Sequence, residues 1–261
     1  MQVVFQGWHA ILATVTQPLL QYPAVAAAYF TFLLQLCELY PLHLAQLPPD
    51  FLRSFAGSLD WGMQGAAADT LGQCVQSIQE LAEWHLHERA ASRPGFAQAA
   101  LPGTPLCRCA CIPCSVSHLQ VCRGIAAREW LHAPCHHRLL FWTARCGAGG
   151  EPVLRHLLRS LLQQGMQGSA HAEGFLSQIA AAVLPIANAD PASLVEVAAA
   201  LLQGVASVTD EAQGACVAAV QRLAALAAEG GDTERLAART DAFEKQFFAF
   251  AAIAQKMLRR N

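Results

Sequence analysis

Residues 22–63 read YPAVAAAYFTFLLQLCELYPLHLAQLPPDFLRSFAGSLDWGM, two helix-like segments on either side of a Leu-Pro-Pro-Asp break. In the first, Val25, Tyr29, Phe32, Leu33, Leu36 and Tyr40 recur at helical spacing, and Phe30 and Leu34 add a second apolar face. A helix apolar on two faces is covered from two sides. Pro23 suits a first turn, where its missing N–H is no loss, and Pro41 stops the helix. The second segment opens at Pro48-Pro49-Asp50 and carries Leu52, Phe55 and Leu59 to Gly62, which places Leu52 and Phe55 between helices. Such a hairpin cannot bury both faces alone, so it reads as one unit of a stack.

The same pattern extends outward. A third helix starts near Asp69, a plausible N-cap, and shows Leu71, Val75, Ile78 and Ala82 on one face to about Glu88. After residue 150, Val153, Leu154, Leu157, Leu158, Leu161 and Leu162 form a stripe. Leu176, Ile179 and Val183 form the next, which Pro185 is expected to close. Asp190-Pro191 opens a helix with Leu194, Val197, Leu201 and Val205, and Thr209-Asp210 caps one with Val217, Val220 and Leu223. Asp232 opens the last helix, expected over 232–258. Its stripe of Leu236, Thr240, Phe243, Phe247, Phe250, Ala254 and Met257 steps by four and three, the spacing of a helix docked along a partner.

Helix starts near 22 and 67, and again near 152, 191 and 232, recur at about 40–45 residues, the period of paired-helix HEAT-type repeats. The expected class is therefore all-α, a HEAT-like helical-repeat solenoid (an α-α superhelix) of about nine helices in antiparallel pairs. Three segments follow: HEAT-like repeats over 1–89, an irregular Cys/Arg-rich insertion over 90–150, and repeats with a capping helix over 151–261.

Hydrophobic residues make up 54% of the 261 and charged residues only 14%, enough apolar surface for a large core. A membrane span needs about 20 consecutive apolar residues. The richest runs, 24–34, 179–187 and 247–254, are shorter and interrupted, so they read as buried helices without membrane insertion. The N-terminus has no basic region or cleavage site of a signal peptide, and it begins uncapped, so the chain is expected to start partway through a larger fold. Residues 90–150 carry six arginines against one acid, Glu129, which leaves a net −7 on the rest. An acidic array suits a basic protein partner and argues against nucleic acid.

Several features of the opening stretch act together: Tyr22-Pro23, the paired aromatics Tyr29-Phe30, the Glu38-Leu39-Tyr40-Pro41 stop, the Leu47-Pro48 linker, and Ser58-Leu59 running to Gly62-Met63. In these it resembles the C-terminal region of nuclear export receptors of the importin-β (karyopherin) superfamily. The likeness continues through 66–88 and resumes over 151–261 as a similar helix order. It implies an armadillo-like superhelix that binds protein cargo with the Ran GTPase in its GTP form. Such a receptor passes nuclear pore proteins and shuttles between nucleus and cytoplasm. It implies binding rather than catalysis, and no cofactor. The main Ran surface would lie in N-terminal repeats that this chain lacks, and no matching residue carries over as a cargo or Ran contact. A generic HEAT scaffold is the alternative, since a fold does not set a function.

The 90–150 segment departs from that pattern. It holds seven of the ten cysteines and four of the ten histidines. Cys107, Cys109, Cys111 and Cys114 could form a thiolate cluster, with His118, Cys122, Cys135, His136 and His137 nearby, and these ligand types suit zinc. The C-x-C-x-C-x2-C run is crowded, however, and no second clip is clean. A zinc-binding module centred on 107–146, a flexible insertion and a mistranslated stretch such as a retained intron all remain open. Elsewhere, His85 and His87 stand two apart, on different sides of a helix, and read as surface residues. Glu80, Glu83 and Glu88 read as a solvated row. Ser160, Ser169 and Ser207 lack the elbow of a hydrolase nucleophile, and Gly147–Pro152 lacks the Lys-Ser/Thr of a phosphate loop. Trp61 reads as core packing.

Overall fold

A computed structural model describes residues 17–65, 68–98, 152–167, 173–203, 210–229 and 233–258, with Gly7, Ile11 and Val15 as isolated positions. Among them are ten α-helices and no sheet. They are α1 (Gln17–Leu20), α2 (Pro23–Leu39), α3 (Pro41–Ala45), α4 (Pro49–Gly65), α5 (Ala68–Ala90), α6 (Val153–Gln167), α7 (Glu173–Ala189), α8 (Pro191–Gln203), α9 (Asp210–Ala228) and α10 (Thr233–Leu258). A 3-10 turn, Gly95–Gln98, follows α5. Residues 1–100 and 152–261 cluster as one compact unit, so the helices on both sides of the Cys-rich stretch share a core.

Prolines set the boundaries. Pro23, Pro41, Pro49 and Pro191 each begin a helix, where a missing N–H leaves no bond unmade. Asp190 caps α8, accepting the Ser193 N–H at 3.2 Å and the Ser193 hydroxyl at 2.6 Å.

The helices lie in two rows. α2, α5, α7 and α9 pack in succession in one row, and α4, α6 and α8 in the other, with α4–α5, α6–α7 and α8–α9 as consecutive pairs across the rows. Within the first row the helices run parallel. Gln73 of α5 donates to Thr31 of α2 at 2.8 Å, and further along Glu80 lies within electrostatic reach of Glu38. Gln178 of α7 sits beside Gly72 near the start of α5, and Arg89 near its end donates to the Ala189 carbonyl that ends α7. α10 packs on α9, α7 and α6. Its Phe243, Phe247, Phe250, Ala254 and Met257 are buried, and Gln255 donates to the Gly165 carbonyl at 2.9 Å.

Leu52 and Phe55 are buried as the spacing predicts. Three local expectations are corrected. The buried face of α2 is Ala26, Tyr29, Phe30, Leu33, Leu36 and Cys37, while Val25 is exposed and Phe32 and Leu34 are half-buried. A helix apolar on more than one face has no strong phase of its own, so its neighbours choose the face. α4 runs on to Gly65, and α7 continues through Pro185 to Ala189. An interior proline forfeits one hydrogen bond. Leu184, Ile186 and Ala187 are all buried around it, and their packing outweighs the loss.

Candidate functional site

The junction of the two sequence blocks is polar. Asp60 on α4 accepts the Ser160 hydroxyl of α6 at 2.5 Å and faces His156 Nε2 at 2.6 Å. Ser160 also donates to the His156 carbonyl one turn back, at 3.4 Å. A nucleophilic triad places the imidazole between hydroxyl and carboxylate, so that the ring takes the hydroxyl proton. Here the carboxylate stands between the other two. This wiring leaves Ser160 donating to a carboxylate, and the trio works as a clasp between helices. An ion pair, Arg155 to Glu196 at 2.6 Å, ties α6 to α8.

The described cysteines are as unreactive as their surroundings dictate. Cys37, Cys74 and Cys216 are free and buried. Burial pushes all three thiols up, Cys216 to about 11 and the other two further. Thiolate chemistry needs the opposite shift. Among the described residues no group of three or more His, Cys, Asp or Glu could hold a metal. Cys107, Cys109, Cys111 and Cys114, with the other Cys and His of that stretch, lie outside the described residues. No described helix is long and apolar enough to cross a membrane.

One surface feature joins two elements of the first row. Glu38 of α2 and Glu83 of α5 are exposed, and Glu80 is half-buried beside them. Burial, then the charges of Glu83 and Glu38, hold the Glu80 carboxyl above its usual range. Gln79 donates to Glu83 at 2.8 Å and steadies the row. Three carboxylates crowded this closely favour a cationic group opposite them.

Two residues read as surface are not. His85 is 6% exposed and accepts the Phe96 N–H at Nδ1, 3.0 Å away. Glu88 is buried, and Arg93 grips it with two bonds of 2.6 Å that hold its carboxyl below the usual range. His87 is exposed. The signal for His85 was the chain beyond it, where Arg93-Pro94-Gly95 turns back and delivers Phe96 to α5. Trp61 is half-buried and stacks on Phe30 at 5° with centroids 6.2 Å apart.

No family model matches the chain, and no solved structure matches it.

Proposed function

We propose that the chain is a HEAT-type helical-repeat segment of a protein-binding receptor. On the resemblance of residues 22–63 to exportin-4, it would serve as the C-terminal part of a nuclear export receptor. That receptor would bind protein cargo with Ran-GTP, pass nuclear pore proteins and shuttle between nucleus and cytoplasm. The observation that supports the repeat reading is the parallel packing of α2, α5 and α7, of which α5 and α7 are each paired with the preceding helix of the other row. In an array of paired helices every second helix points the same way, and the rows supply extended surfaces for a partner. The acidic face of Glu38, Glu80 and Glu83 suits a basic protein segment.

The test is a pull-down with Ran loaded with GTP or GDP, using the gene's full-length product. Recovery selective for GTP, with cargo released after hydrolysis, supports the transport reading. Equal recovery in both states, or none, overturns it and leaves the generic HEAT scaffold, which needs only the array and its acidic face. Metal analysis of the purified protein tests the zinc alternative centred on 107–146.

A further inference from the structure

Helix α5 ends in a Schellman turn, in which Ser92 N–H donates to Arg89 O at 2.9 Å and Arg93 N–H to Glu88 O at 2.8 Å. Ser92 adopts φ 58° there, and Gly95 adopts φ 51° three residues later. The chain thus folds back, and the Gly95–Gln98 turn packs on α5 and α3. Two contacts hold it. The Phe96 ring, 2% exposed, meets Trp84 edge-on with centroids 5.3 Å apart. Its N–H donates to His85 Nδ1. A Cβ on Gly95 would strike that same Nδ1, so the turn's backbone sits directly on the ring. A ring nitrogen that accepts an amide proton carries none itself, so this imidazole is neutral, with its proton on Nε2.

The charged groups around it come from each packed element. Arg89 lies on α5, the Glu88–Arg93 pair closes the stem, and His43 stands on α3. Glu38 stands in the last turn of α2, on the side of Glu80, and Asp190 follows α7, where it interacts with Arg89. Burial, and then the Arg89 charge, push the His85 pKa below its usual value. No carboxylate contributes to that shift.

We propose that His85 is a proton-operated latch: neutral, it anchors Gly95–Gln98 to α5, and once protonated at Nδ1 it releases the Phe96 amide and the turn leaves the helix. The sign follows from which state binds the proton better. The released ring is solvated and titrates near its ordinary value, so release grows as pH falls below about 6.5. It grows about tenfold per pH unit, since one proton is taken up, until the docked ring also titrates.

Hydrogen exchange on the full chain tests the latch at about pH 7.5 and about pH 5.5, with rates corrected for the intrinsic pH dependence. The Phe96 amide should be protected at the higher pH, and its protection should fall several-fold, up to about tenfold, at the lower, while α8 stays protected. His85→Gln, whose side-chain oxygen can accept the amide without titrating, should make protection the same at both pH values. His43→Gln should keep the response. Wild-type protection that does not change with pH overturns the proposal. So does a response that survives His85→Gln or disappears with His43→Gln.

Discussion

His156 Nε2 stands 2.6 Å from Asp60 Oδ2, across 96 residues of chain, and both side chains are largely shielded from water. This pair, with Ser160 on the same carboxylate, ties α4 to α6 where the two blocks of helices meet. Hydrogen bonds to a charged group contribute about 1.5–3 kcal/mol. Asp60→Ala should therefore lower unfolding stability in urea by about that amount. A cycle with His156→Ala should be non-additive by at least about 0.5 kcal/mol, as for residues in direct contact. Additive losses would mean that the two residues act separately.

At Gly62, α4 comes close to both α2 and α5. A Cβ there would sit 2.6 Å from Phe30 Cε1 and would also strike the Cys74 sulfur. Phe30 cannot retreat, being fully buried between the Tyr29 edge and the Trp61 face. Gly62→Ala should destabilise by about 1–3 kcal/mol, the range for overpacking a tight core. The melting temperature reads this directly, and an unchanged value would place α4 further from α2.

At Ser92 the sign reverses. A left-handed backbone costs an L-residue about 1–2 kcal/mol, and glycine avoids that cost at the expense of a more flexible unfolded chain. Ser92→Gly should give a net gain of about 0.5–1 kcal/mol in chemical denaturation. Destabilisation would show that the Ser92 side chain contributes more than its backbone geometry costs.

Glu80 gives a prediction in pH. Its folded-state pKa is raised by burial and by its acidic neighbours, so ionising it opposes folding. That penalty is full above the raised value and vanishes as pH falls through it toward the ordinary 4.5. Glu80→Gln should stabilise the protein near pH 7 by about 0.3 kcal/mol, a small effect because solvent screens the site. The gain should be gone at about pH 4, measured as the difference between variant and parent melts.

Phe247 tests the docking of α10. It is fully buried, and its ring packs 3.2 Å from where a Cβ on Gly165 of α6 would lie. Phe247→Ala should cost about 3–5 kcal/mol. A loss under about 1 kcal/mol would mean that α10 frays from α6.

Where a signal is local, the sequence was readable. Pro23, Pro41, Pro49 and Pro191 open helices because a proline nitrogen has no proton to lose at a first turn. The line of Phe243, Phe247 and Phe250 was visible because α10 is polar on its other side, leaving one apolar stripe to bury. The acidic row was half legible: Glu83 is exposed with half-buried Glu80 beside it, but Glu88 belongs to the turn that closes α5.

What the sequence determined by itself was helix, break and period, since these depend on torsions and on neighbours three or four residues away. The tertiary structure alone decided the rest. α2 is apolar on more than one face, so α4 and α5 selected which face it buries. Pro185 was kept inside α7 by the packing of Leu184 and Ile186. His85 became an acceptor only when Phe96 was returned to it. Asp60 acquired His156 and Ser160 only when α4 and α6 came side by side across about a hundred residues of chain, because contacts of that reach exist only after the loop between them has closed.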